Sequence, residues 1–260
     1  MKLKYLCATA LTIMGASSAN AALALHYKLE DAGGSILSNA NSGSASHSWG
    51  SGSGGALVTG AHGGAGDFTS ASWWSSASTG VNLNSFSLSL HVRTSATTQW
   101  KDFISLGTDN KVVFVLELAS AITGGHSVSL YNIGNVGGVT NAPLYTGVAS
   151  GPINDGAWHH LGIVSDGATI QLFADGVQRG STAYTGSGNI DAFQFASRFG
   201  EGSRKIVTDL DDVALYDTAL SASQMSWLAS NEAVVDPVPE PGTTALLGLG
   251  GLALILRRRK

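Results

Sequence analysis

Residues 157–180 decide the fold: Ala157-Trp-His-His-Leu-Gly-Ile-Val-Ser-Asp166-Gly167-Ala-Thr-Ile-Gln-Leu-Phe-Ala174-Asp175-Gly176-Val-Gln-Arg-Gly180. Two apolar segments alternate with period two, and each is closed by Asp-Gly. That dipeptide suits a type I′ turn, which needs positive φ at both central positions. The stretch therefore predicts a meander of three antiparallel strands. Alternation continues outward in both directions. Leu23, Leu25, Tyr27 and Leu29 alternate, as do Phe86, Leu88, Leu90 and Val92, with Ser87, Ser89, His91 and Arg93 between them. Val128 and Leu130 carry the same pattern, and 204–216 reads as a last strand. Period two over four to eight residues is the mark of a half-buried strand. Ser221-Ala-Ser-Gln224 is a capping box, so a short helix follows, with Leu220, Met225 and Leu228 placed to pack inward. Between residues 42 and 56, 13 of 15 positions are Gly, Ser or Ala, broken by His47 and Trp49, and the segment reads as a long flexible loop. The G-x-G-x-x-G match inside it has neither a strand before it nor a helix after it.

Charged residues make up 12% of the 260-residue chain, against about 25% in an ordinary domain. One cysteine, Cys7, excludes a disulfide scaffold and a thiolate cluster. Six of the 14 basic residues stand at the two ends: Lys2, Lys4, Arg257, Arg258, Arg259 and Lys260. The eight that remain face 18 acidic residues, so the middle of the chain is near −10. A domain of that charge repels nucleic acid, and no nucleic-acid partner is expected.

The basic ends read as addresses. Met1-Lys-Leu-Lys, the apolar run 5–15 and the small residues 16–22 form a secretory signal peptide, residues 1–21, with cleavage between Ala21 and Ala22. An uncleaved anchor is the alternative. At the other end, Pro239-Glu240-Pro241 precedes the apolar run 242–256 and then Arg257, Arg258 and Arg259. Fifteen residues make about 22 Å of helix, short of the ~20 residues of a comfortable span. The basic cluster would keep the C-terminus of this short transmembrane segment in the cytoplasm. Residues 239–260 resemble a PEP-CTERM sorting signal. That resemblance implies a Gram-negative bacterium that makes exopolysaccharide. It also implies a membrane-embedded exosortase as processing partner, transient residence in the inner membrane, and delivery to the envelope or extracellular matrix. An ordinary tail anchor is the alternative.

Four segments carry a second resemblance: Phe86–Arg93, Asp155-Gly-Ala-Trp-His-His-Leu161, Leu172-Phe-Ala-Asp-Gly-Val177 and Leu210-Asp-Asp-Val-Ala-Leu-Tyr-Asp-Thr-Ala-Leu-Ser221. They are similar to LamG-like jellyroll domains of the concanavalin A-like lectin/glucanase fold. The expected architecture is all-β: a two-sheet antiparallel jellyroll sandwich over 22–230, with one short C-terminal helix. A linker at 231–238 would lead to the apolar C-terminal helix. Such a resemblance implies no reaction, because function belongs to a site.

Glycoside hydrolysis uses two carboxylates about 5–10 Å apart. The five Glu (Glu30, Glu117, Glu201, Glu232 and Glu240) include no pair within five residues, and only Glu117 sits in a strand pattern. No enzyme is expected. His159 and His160 are adjacent and fall on opposite faces of a strand, so they cannot share an ion. Asp209, Asp211 and Asp212 are the better metal candidates. Alternation puts Asp209 and Asp211 on one face and turns Asp212 away. With Asp67, which matches a nearby edge position in the family, they are candidate calcium ligands. Trp49, Trp73, Trp74 and Trp100 are candidate platforms for stacking on sugar rings. The expected function is a secreted, non-enzymatic module that binds polysaccharide or a surface protein in a biofilm matrix. A structural matrix protein and a divergent glycosidase are the other readings.

Overall fold

The computed structural model describes residues 22–30, 46–49, 56–69, 73–108, 111–132, 144–145, 151–198 and 201–234. The signal peptide, the sorting signal and its apolar segment lie outside these residues. Among the described residues no helix is long and apolar enough to cross a membrane.

Two antiparallel sheets face each other. In spatial order the first holds β13 (Val177–Ala183), β12 (Thr169–Ala174), β11 (Trp158–Asp166), β6 (Ser85–Arg93), β15 (Asp209–Tyr216), β4 (Gly64–Asp67) and β3 (Leu57–Thr59). β1 (Leu23–Tyr27) also joins it, alongside β15. The second sheet holds β10 (Leu144–Tyr145), β9 (Gly125–Asn132), β8 (Lys111–Ile122), β7 (Lys101–Thr108), β14 (Ala192–Phe195), β5 (Trp73–Ser78) and β2 (Ser46–Trp49). Phe86, Leu88, Leu90 and Val92 meet Phe103, Leu116, Leu118 and Phe193 between the sheets, all fully buried. Burying each such side chain stabilises the fold by about 1.5–3 kcal/mol.

The meander forms as the sequence predicts, β11 on β12 on β13. Its two turns differ. Asp175 and Gly176 both have positive φ, +50° and +73°, as a type I′ turn requires. At the other turn only Gly167 is left-handed, at +88°. Gly167 is there the first central residue of a two-residue loop, the II′ arrangement, and Asp166 accepts N–H bonds from Ala168 and Thr169 instead. The expected long loop at 42–56 contains strand β2, paired with β5. The expected strand at 204–216 begins only at Asp209, after a single 3-10 turn at Gly202–Arg204.

The helix α1 (Ala222–Leu228) has both halves of its capping box. Leu220, Met225 and Leu228 bury against Val164, Phe173, Ala214 and Tyr216 on the outer face of the first sheet. Gly162 makes room for it, since a Cβ there would fall 2.0 Å from the Met225 Cε. The chain then continues across the same face. Residues 231–234, assigned from sequence to a linker, are held on the domain: Ala233 is buried, Tyr216 donates to the Val234 carbonyl at 2.9 Å, and Glu232 pairs with Lys28. This cover explains why Ser87, Ser89 and His91, which alternate outward along β6, are buried as well.

Candidate functional site

β15 changes partners midway. Asp209 and Leu210 pair with β4, while Val213 to Tyr216 pair with β1. On its other side the ladder with β6 runs Asp209↔Arg93, Leu210↔Val92, Asp211↔His91, and resumes only at Ala214↔Ser89. Asp212 takes φ +50° in this bulge. A bulge opposes two residues to one, so consecutive side chains can reach one face. Leu210 and Val213 enter the core between the sheets, whereas Asp212 meets His26 and the Ala233 N–H on the outer side. The alternation read from sequence, which turned Asp212 away from Asp211, is corrected by this slip.

The bulge opens onto a cleft of about 390 Å³ beside the end of α1, lined by Gly60, Ala61, His62, His91, Trp158, His160, Asp175, Ala229 and Ser230. His62 comes from the β3–β4 turn, which Asp211 holds by accepting the His62 N–H at 2.9 Å. Gly60 is required there, because a Cβ would lie 2.5 Å from the same carboxylate and 2.4 Å from the Gly64 carbonyl. His91 and His160 stand opposite each other on β6 and β11. The rings form a row, with centroids 4.7 Å apart for His62 and His91 and 5.2 Å for His91 and His160. His160 Nε2 meets Ser89 Oγ at 3.0 Å. Its Nδ1, His62 Nε2 and both nitrogens of His91 have no hydrogen bond of good geometry.

Burial disfavours the charged form of two of these rings. It holds His91 below the usual imidazole range, and His160, with His91 beside it, is pushed down to about 3. Burial pushes the Asp211 carboxyl up to about 7, and the adjacent Asp212 adds to that, while the His62 N–H only partly offsets it. Asp212 is held from two sides, by His26 Nε2 at 2.5 Å and by the Ala233 N–H at 2.8 Å. His159 lies apart from this row, bracketed by Asp155 and Asp175 at 3.1 Å each.

The four aspartates proposed from sequence do not converge. Asp67 pairs with Asp209 across β4 and β15, ahead of the bulge, and takes the Thr69 N–H at 2.6 Å. Asp209 is ion-paired with Arg93 at 2.8 Å, and Arg93 also lies 4.8 Å over the Trp158 ring. The like-charge repulsion of the cluster is thus met by a guanidinium, a histidine and backbone N–H groups. Among the described residues the donors that do gather are His62, His91 and Asp212. Sequence reading named Asp212, but no spacing rule links it to a turn histidine and a mid-strand histidine, so the sequence offered no signal for His62 and His91.

Three of the four candidate tryptophans stand on adjacent strands of the second sheet, and Trp100 does not join them. Trp49 pairs with Ser75, Trp73 with Phe195 and Trp74 with Gln194, all toward one edge of the second sheet. Trp100 is 40% exposed at φ +62°, its N–H on the Leu118 carbonyl at 2.7 Å and its carbonyl receiving Arg204 at 3.2 Å. On β8, Glu117 is opposite Asp102 of β7, and both are buried. Arg198 reaches both, and Ser129 donates to Glu117 at 3.0 Å.

A two-sheet antiparallel jellyroll with a helix closing one outer face is the frame of lectin-like domains, and the comparisons agree. Residues 68–226 match the family model of the concanavalin A-like lectin/glucanases superfamily, and the chain belongs to that superfamily. Residues 237–260 match the PEP-CTERM protein-sorting motif, which indicates export and envelope sorting and implies exosortase processing. No curated protein matches the chain by sequence. Among solved structures it is similar to domain 4 of AbnA, a GH43 extracellular arabinanase from Geobacillus stearothermophilus, in complex with arabinotriose. The identity is 18% and the TM-score 0.56, over 81% of this chain and 99% of that one. It is also similar to the binding domain of Paraclostridial Mosquitocidal Protein 1, at 14% identity and TM-score 0.59, over 81% of this chain and 52% of that one. The binding domain of botulinum neurotoxin serotype G gives 14% and 0.59, over 80% and 50%. The chain spans about half the length of these two toxin domains. At such identities the likeness is one of fold.

Proposed function

We propose that the exported domain is a non-enzymatic module that binds polysaccharide at the cell envelope or in the extracellular matrix. The observation that carries this reading is the match over 99% of an arabinanase domain whose structure holds arabinotriose. The carboxylates argue in the same direction. Glu117 and Asp102, the opposed pair on β8 and β7, are buried and bound to Arg198, so neither is free to protonate a glycosidic oxygen or to attack an anomeric carbon. Trp100 is a suitable platform, being an exposed ring on a backbone held by two hydrogen bonds. Electrophoresis of the exported protein through gels containing a panel of polysaccharides tests the reading. Retardation by one glycan, weakened by Trp100→Ala and without release of reducing sugar, is the expected result. Retardation by none favours a surface-protein ligand or a matrix role, and sugar release overturns the non-enzymatic assignment.

A further inference from the structure

We propose that His62, His91 and Asp212 bind a divalent transition-metal cation of the zinc class at the bulge of β15. Their donor atoms lie within 4.8 Å of one another. Zinc–ligand bonds of about 2.0–2.2 Å set donors in a tetrahedral site roughly 3.3–3.5 Å apart, so closure on an ion asks for about 1 Å of movement. His62 can supply it, since it sits in a turn and is only half-buried, whereas His91 is paired on β6 and the Asp212 carboxylate is held by His26 and the Ala233 N–H.

The second observation is the state of His91. It is 3% exposed, and neither ring nitrogen makes a hydrogen bond of good geometry. His62 Nε2 is in the same condition, buried and unpartnered. Polar atoms left unpaired away from water cost about 1–3 kcal/mol each, and a fold seldom keeps several together without a ligand. Beyond these donors the arrangement is of the kind that orients metal ligands. His26 and the Ala233 N–H fix the Asp212 carboxylate.

Charge and donor type select the ion. Asp211 and Asp212 are adjacent, buried and without a Lys or Arg ion pair among the described residues, so a dication would add to what His26 and the backbone N–H groups already supply. Two imidazoles with one carboxylate suit zinc, copper or nickel, whereas calcium requires six or more oxygens. Three protein donors leave a position for a water, for a ligand oxygen from the cleft, or for the unpartnered Nδ1 of His160.

The test uses the full-length chain in mild detergent, stripped with chelator and titrated calorimetrically with Zn²⁺ and separately with Ca²⁺. The expected result is a saturable single equivalent of Zn²⁺, a raised melting temperature, and no response to Ca²⁺. His62→Asn and His91→Phe should each abolish saturable binding, the second while filling the same buried space, with circular dichroism confirming the fold. Co²⁺ needs no variant, because a wild-type protein with visible d–d absorption of tetrahedral intensity places nitrogen and oxygen donors on the ion. No Zn²⁺ heat and no Co²⁺ bands, or binding that survives both substitutions, overturns the proposal.

Discussion

Arg198 donates from Nε to Asp102 at 2.7 Å, with 5% and 0% of the two side chains exposed. The same guanidinium lies 3.3 Å from Glu117, so one positive charge serves two buried carboxylates. Burial pushes Asp102 up to about 7 and raises Glu117 as well, with Arg198 offsetting only part of the effect.

That imbalance fixes the sign of a pH effect. A carboxyl whose folded pKa exceeds its unfolded value contributes stability that is complete below the unfolded value, near 4, and is lost as pH rises through the folded one. Between them the unfolded chain binds fewer protons, and stability falls by up to about 1.4 kcal/mol per pH unit. Asp102→Asn removes this dependence. In urea melts the wild type should therefore lose stability relative to Asp102→Asn as the pH rises from about 4.5 to about 8. Neutral His160, depressed to about 3, gives the opposite slope below the imidazole range, but it is common to both proteins and cancels in the comparison. A flat difference would mean that Asp102 ionises as freely in the fold as out of it.

Gly176 is constrained twice. Its φ of +73° strains any β-branched side chain, at a cost of roughly 1–3 kcal/mol. A Cβ there would also lie 2.9 Å from the Ser226 Cα and 3.1 Å from the Ala229 Cβ, so the turn and α1 are fitted together. Gly176→Val should lower the thermal midpoint by about 2–12 °C, taking roughly 2–4 °C per kcal/mol in a domain of this size. An unchanged midpoint would show that neither the turn nor its contact with α1 constrains this position.

What the sequence made legible is what a few neighbouring residues decide. Asp175-Gly176 turns, the alternation of β6 and the Ser221–Gln224 cap each depend on residues within one turn or one strand. The bulge at Asp211 and Asp212 does not. It arises because β15 pairs with β4 over one half and β1 over the other, and those partners come from the opposite end of the chain. Glu117 read as a lone carboxylate between leucines for the same reason, since Arg198 and Asp102 reach it only through the fold. The histidine cleft joins a turn, two strands and the end of a helix, and nothing local marks His62, His91 and His160 as neighbours.

The cap of α1 offers a measurement of how firmly the helix is docked. Ser221 Oγ accepts the Gln224 N–H at 3.2 Å, and Gln224 Oε1 accepts the Ser221 N–H at 2.9 Å. Ser221→Ala leaves the Gln224 N–H without its side-chain acceptor and should cost about 0.5–2 kcal/mol, while Ser221→Gly should cost only a few tenths. Chemical denaturation of the two variants gives the ranking. Equal losses would mean that Met225 and Leu228 hold the helix whatever its cap does.

The start of the domain ties processing to structure. Ala22 donates its N–H to Asp217 Oδ1 at 2.9 Å, and Asp217 returns its own N–H to the Ala22 carbonyl at 3.1 Å. If the signal peptide is cut between Ala21 and Ala22, that amide becomes an α-ammonium, and a neutral hydrogen bond becomes a charge-assisted one. Both groups are exposed, so screening holds the gain within about 0–1 kcal/mol. Intact-mass analysis of protein recovered from the native host should give a chain beginning at Ala22 and lacking Arg257 to Lys260. Asp217→Asn should then lower the midpoint of that exported form more at low salt than at high salt. It should do so less in a form that keeps residues before Ala22, because no ammonium is present there. Equal effects in both forms would leave Asp217 a capping acceptor with no role in recognising the new terminus.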